Sequence, residues 1–205
     1  KWLLVGFIHG VMNTDNMSIS GETIDYGPCA FMDNYGADTV FSSIDRNGRY
    51  SYDNQPIMAQ WNLARLAETL LPLLHDDEDE AMALATGSVT DFWDVFQHYW
   101  IVGMRAKLGL STQEEGDFAL GEQLLESMSG EEVDFTHLFR QLITDLENDT
   151  VESQKLFNKA EKYLLWRKLW IARLAKDNLS LSDRVAMMKA ANPLYIPRNH
   201  QVEYA

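Results

Sequence analysis

Two polar stretches near the start of the chain hold residue types that do chemistry together. The first is His9-Gly10-Val11-Met12-Asn13-Thr14-Asp15-Asn16, and the second is Thr23-Ile24-Asp25-Tyr26-Gly27-Pro28. Asp15, Asn16 and Asp25 offer hard oxygen atoms, which accept protons or bind small hard cations. Mg²⁺ suits such a set, because it takes one or two protein side chains and completes its shell with phosphate and water. Asp and Asn also cap turns, so the same residues have a purely structural alternative. Asn13 and Thr14 either contact phosphate or only shape the loop. Arg46 and Arg49 flank a glycine turn and bind phosphate, bind an acidic acceptor, or simply solvate the loop.

Something must bring the two stretches together. Met17-Ser18-Ile19-Ser20-Gly21-Glu22-Thr23-Ile24 reads as two short strands around a Ser-Gly turn, a β-hairpin whose ends would carry Asn16 and Asp25. The segment before it, 1–9, is apolar and fits either a helix or a strand. Residues 29–54 read as a long loop. Helices follow: Asn54 as N-cap with Pro56 in the first turn, and Pro72 ending or kinking that helix. The run His75–Glu80 is a linker or a helix start. Thr90 is expected to cap a helix to Leu108, closed by Gly109. Ser111-Thr112-Gln113-Glu114 has the pattern of a capping box for the next, closed near Gly130. Asp134 starts another through Leu146, residues 153–176 read as one long amphipathic helix, and Ser182 opens a short one. Trp61, Trp93, Trp100, Trp166 and Trp170 fall on helical stripes and are expected in the core.

The 205 residues carry 17 Lys+Arg against 31 Asp+Glu, a formal net charge of −14. That balance argues against nucleic acid as a partner held by a general basic field. It permits a nucleotide that arrives with Mg²⁺, and it predicts nucleotide affinity that depends steeply on the cation. The single cysteine, Cys29, excludes an internal disulfide framework and a cysteine zinc site, fits a reducing compartment, and reads as a small buried hydrophobe. The apolar run Trp2–Ile8 is far short of the ~20 residues of a membrane span, so no membrane partner is expected. The chain enters an apolar segment at once after Lys1, which suggests that upstream sequence is missing.

The spacing invites comparison with the protein-kinase signature H-R-D-x-x-x-x-N followed by D-F-G. His9 to Asn16 is the same step of seven, and Asp25-Tyr26-Gly27 stands where D-F-G would. Val11 occupies the place of the usual catalytic Asp, while Asp15 adjoins the Asn. By this comparison His9 is a structural hydrogen-bonder.

Taken together, His9–Met17, Thr23–Pro28, Gly48-Arg49-Tyr50, Asn54-Gln55-Pro56, Trp61–Ala67 and Asn192-Pro-Leu-Tyr-Ile-Pro-Arg-Asn199 resemble the selenoprotein O family over nearly the whole chain. The resemblance implies a mainly α, protein-kinase-like C-lobe, helical with one small β-hairpin near its N-terminal end. Residues 1–54 would be the catalytic and metal-binding loop region and 55–205 the helical remainder of the same domain, with the N-lobe absent. It implies a protein adenylyltransferase that moves AMP from ATP to Ser, Thr or Tyr hydroxyls of protein substrates. Asp15 would be the catalytic base, and Asn16 and Asp25 would hold Mg²⁺ (or Mn²⁺) with the bound ATP. The alternatives are an ordinary phosphotransferase and a non-catalytic pseudokinase scaffold. Expected localisation is cytoplasmic for a bacterial protein and mitochondrial for a eukaryotic one. The fragment alone is expected to be inactive.

Overall fold

The computed structural model describes residues 1–204. The opening apolar segment divides at a glycine. Helix α1 (Trp2–Val5) ends at Gly6, whose φ of 71° is left-handed, and strand β1 (Phe7–Ile8) follows. A side chain at Gly6 would meet Phe135 Cδ1 at 3.1 Å, so glycine serves both the turn and the packing. Strand β1 pairs antiparallel with β2 (Ala30–Phe31), Phe7 opposite Phe31 and Ile8 opposite Ala30. Met32 N–H donating to the Gly6 carbonyl at 2.7 Å extends the pairing.

This two-stranded sheet is the β element of the domain, and it lies outside the expected hairpin. Residues 17–24 form no strand. Gly21 N–H closes a turn onto the Ser18 carbonyl at 3.0 Å, and the Ser18, Ser20 and Glu22 side chains hydrogen-bond one another. Such local bonds compete with a strand ladder. The carbonyl of Ile24, which a hairpin would use, is taken by His9.

Helices make up the rest. Helix α2 (Gln55–Leu74) runs past Pro72 for two more residues, and α3 (Glu78–Thr90) packs against it. The acidic run is thus a helix start: the Asp77 carboxylate caps the N–H groups of Asp79 and Glu80. Helix α4 spans Phe92–Leu108, so Thr90 ends α3 instead of capping α4, and Gly109 at φ 74° closes α4 as expected. Helix α5 (Asp117–Met128) begins later than the capping-box pattern suggests. Ser111 is instead engaged through both its N–H and its hydroxyl by the Asp177 carboxylate, each at 2.6 Å. Asp134 does cap α6 (Phe135–Asn148), accepting from His137 N–H at 2.7 Å. The expected long helix is split into a 3₁₀ turn (Glu152–Leu156) and α7 (Glu161–Leu174), because Asp145 draws the turn aside through the N–H groups of Glu152 and Ser153. Helices α8 (Leu181–Ala191) and α9 (Asn199–Val202) follow, α8 capped by Ser180. No helix among the described residues is long and apolar enough to cross a membrane.

The core lies between α4, α5, α6, α7 and α8. Trp166 and Trp170 stack with centroids 5.5 Å apart, and their indole N–H groups reach the carbonyls of Leu120 (2.8 Å) and Leu108 (2.9 Å). Trp100 is buried with them and Trp93 is half-buried, but Trp61 is 41 % exposed on the outer face of α2. The expectation that Trp61 packs in the core is corrected: two arginines cover its ring instead.

A buried ion pair locks α5 to α7. Arg173 Nε and Nη2 donate to the two carboxylate oxygens of Asp117 at 2.6 and 3.2 Å, and Arg105 stands 3.7 Å away. Removing one partner of such a pair leaves a charge in the core and costs about 3–5 kcal/mol. Arg173→Met is therefore expected to lower unfolding stability by about that amount. Chemical denaturation checks this; a variant with an unchanged midpoint would show the pair to be dispensable.

Candidate active site

The two polar stretches become facing loops, and three contacts hold them together. The β1–β2 pairing anchors the start of the first loop to the end of the second. His9, fully buried, donates from Nε2 to the Ile24 carbonyl at 2.7 Å. Its Nδ1 accepts the Val11 N–H at 3.4 Å, which assigns the Nε2–H tautomer from the network. Gly10, at φ 86°, lies so close to Pro28 that a Cβ would meet Pro28 Cγ at 3.0 Å and its carbonyl oxygen at 3.1 Å. His9 is thus a structural clamp on the residue before Asp25, as the kinase comparison suggests.

Helix α2 supports the first loop from below. Gln55 Oε1 accepts the His9 backbone N–H at 3.0 Å, and its Nε2 donates to the carbonyls of Phe7 (3.0 Å) and Tyr52 (3.2 Å). Asn62, two turns further on, donates from Nδ2 to the Met12 carbonyl at 3.0 Å. Both side chains are buried. Reading the sequence for chemistry misses both. Their signal is two amides seven residues apart, on one face of the helix. Gln55→Leu removes the partner of the His9 N–H and of the Phe7 and Tyr52 carbonyls, and each buried group left unsatisfied costs about 1–3 kcal/mol. The expected result is a lower thermal midpoint together with a slower turnover in the full-length protein. Wild-type values for both would remove Gln55 from this role.

Asp15 and Asn16 sit in a 3₁₀ turn (Thr14–Asn16) on the supported loop. Asn16 uses Nδ2 to reach the Val11 carbonyl at 3.1 Å, so its Oδ1 is left as an acceptor. Asp15 is exposed, and its carboxylate has no hydrogen bond or ion pair among the described residues. Asp25, on the facing loop, is likewise exposed and without a partner there. Its φ of 52° is left-handed, and its carbonyl accepts the Gly27 N–H at 2.7 Å. Asn13 is occupied by the Tyr50 hydroxyl at 2.6 Å and shapes the loop. Cys29 is half-buried, and burial pushes its thiol up, which disfavours the thiolate.

The described residues contain no group of three or more His, Cys, Asp or Glu that would hold a cation unaided. What the loops do offer is one amide oxygen and exposed carboxylates, all acceptors. That donor set fits a Mg²⁺ ion which keeps most of its shell from phosphate and water. Segment 2–45 contains neither Lys nor Arg, so these loops bring no fixed positive charge of their own.

A helical domain whose small sheet feeds a His-to-Asn loop and a facing Asp-Tyr-Gly turn defines the C-lobe class of the protein-kinase-like fold. The chain belongs to the family described as Protein adenylyltransferase SelO, which matches residues 1–205. Among its relatives, a protein nucleotidyltransferase YdiU of Bacillus cereus (strain G9842) is 55% identical over 205 residues. Proteins of the same name from Halalkalibacterium halodurans and Alkaliphilus metalliredigens are 54% and 55% identical. Each match covers 100% of this chain and 41% of the relative, so the chain spans under half the length of these relatives.

Proposed function

We propose that the full-length protein transfers AMP from ATP to a Ser, Thr or Tyr hydroxyl of a protein, with residues 1–54 as its catalytic loop region and 55–205 as the helical support. The observation that carries this reading is the clamp of His9 on Ile24. It sets the Asp15–Asn16 turn and the Asp25 turn on facing loops, with their acceptor oxygens unclaimed. Asp15 accepts the proton of the acceptor hydroxyl as its oxygen attacks the α-phosphorus. The bond to the β-phosphate bridging oxygen breaks, and pyrophosphate leaves. Asn16 Oδ1 and the Asp25 carboxylate would hold Mg²⁺, which when bound supplies neutralisation of phosphate charge. Orientation and electrostatics dominate such a reaction. Val11, where kinases carry Asp, supports nucleotidyl over phosphoryl transfer. With no cation in segment 2–45, residues 1–205 alone are proposed to lack turnover, and nucleotide binding is proposed to collapse in chelator.

The test uses the full-length protein, Mg²⁺ and a generic acceptor protein, with ATP labelled on the α-phosphate in one reaction and on the γ-phosphate in another. Label from α only is the expected result. Label from γ would make the protein a kinase, and label from neither would favour a scaffold.

A further inference from the structure

Between residues 2 and 104 the only Lys or Arg residues are Arg46, Arg49 and Arg65. Two of these three face the same exposed indole. The Arg49 guanidinium carbon lies 4.9 Å and that of Arg65 5.2 Å from the Trp61 ring centroid. Arg65 also pairs with Glu68 at 2.7 Å on the surface. Arg49 has no carboxylate partner among the described residues, in a chain with 31 Asp+Glu. The nearest candidate in sequence, Asp45, is spent on the backbone N–H groups of Arg49 (2.9 Å) and Tyr50 (2.8 Å). That arrangement fixes the arginine loop while leaving the guanidinium unpaired.

The cluster adjoins the candidate catalytic turn. Tyr50 donates to Asn13 Oδ1 at 2.6 Å, two residues from Asp15. A groove of about 320 Å³ runs beside it, with Thr14, Met17 and Ile19 on one wall and Leu63, Arg65 and Leu66 of α2 on the other. Its walls are mostly apolar, Ile19 is 88 % exposed, and Thr14 is the direct neighbour of Asp15.

We infer that this groove seats the acceptor protein as an extended segment bearing Asp or Glu beside the modified hydroxyl, with Arg49 and Arg65 reading the acidic side chain. The inference rests on the proposed transfer reaction and names its substrate class. Charge complementarity carries it. A net charge of −14 disfavours an acidic segment overall, whereas the arginine pair on Trp61, beside the loop that carries Asp15, attracts one. A carboxylate between the two guanidiniums also relieves their mutual repulsion. Apolar neighbours of the hydroxyl fill the groove.

The test compares two peptides that share one hydroxyl residue and differ only in flanking Glu against Gln. AMP transfer from α-labelled ATP is measured with the full-length protein and its Arg49→Gln/Arg65→Gln variant. Binding of the same peptides, fluorescently tagged, is read separately by anisotropy. Wild type is expected to favour the Glu peptide about tenfold in kcat/KM and in affinity, the preference shrinking at high salt. In the variant the Glu peptide should fall to the level of the Gln peptide. Equal use and equal binding of both peptides by wild type would overturn the inference. A raised KM for ATP in the variant would also overturn it, by assigning the arginines to phosphate. Arginine-dependent binding of the Glu peptide without any AMP transfer would keep the docking site and sink the transfer reaction.

Discussion

Asp15→Ala in the full-length protein is expected to cut AMP transfer by about 10²–10⁴-fold, the usual worth of a positioned general base. Nothing in the fold should change with it. The side chain is exposed and bonds to no other described residue, and the turn is closed by the Asn16 N–H on the Asn13 carbonyl at 3.0 Å. A loss of activity with an unshifted thermal midpoint would therefore speak for chemistry. Asp25→Ala separates the second role. Its loss should weaken activity most at low Mg²⁺ and be partly recovered by raising the cation. Asp15→Ala should show no such recovery. Full activity of Asp15→Ala at every Mg²⁺ concentration would leave the proton with another group and remove Asp15 as base.

Lys107 predicts an equally large effect on stability. It is 2 % exposed, and burial pushes its ammonium down from 10.5 to about 7. Its surroundings are neutral: Asn192 Oδ1 at 2.6 Å and the rings of Phe139 and Phe135 at 3.7 and 5.3 Å. The unfolded chain protonates this amine below 10.5 and the folded chain only below about 7, so in that window the unfolded state binds more protons. Stability should therefore rise with pH from about 7 toward 10.5, and the cost of the buried charge is complete below 7. Each step of one in pH across that window contributes ~1.4 kcal/mol, so the gain is on the order of 5 kcal/mol. Tyr35 and Tyr163, pushed up to about 12 by burial, act the other way once unfolded tyrosine ionises near 10. Comparison with Lys107→Met cancels their contribution. The variant should lack the rise, although Asn192 Oδ1 loses its donor. Parallel stability–pH curves for the two proteins, measured by urea unfolding between pH 6 and 9.5, would show that Lys107 stays charged in the fold.

Much of the helical domain is legible in the sequence because its signals are local. Asp134 and Gly109 begin or end helices through bonds to residues a few positions away, and those bonds depend on little else. The candidate catalytic stretches stand out for a similar reason: the spacing from His9 to Asn16 and the Asp25-Tyr26-Gly27 turn lie along one piece of chain. Where local patterns fail, a distant partner has claimed the group. Ser111 has the pattern of a cap, but Asp177, 66 residues on, holds it. Residues 17–24 have the pattern of strands, but His9 takes the Ile24 carbonyl, and the pairing lies further out, at Phe7–Ile8 and Ala30–Phe31. Trp61 has the spacing of a core residue, but it faces outward beneath Arg49 and Arg65.

The sequence by itself determined where most of the helices run and which residues are candidates for the proposed chemistry, and its acidic balance is the reason a cation enters that proposal. Only the tertiary structure decided what holds the chemistry in place. Gln55 reaches His9 across 46 residues, Asn62 reaches Met12 across 50, and Arg173 reaches Asp117 across 56. A cap or a turn is chosen by its immediate neighbours. A bond across such a separation forms only after the intervening chain has lost its entropy to packing, and so the packed core chooses its partners.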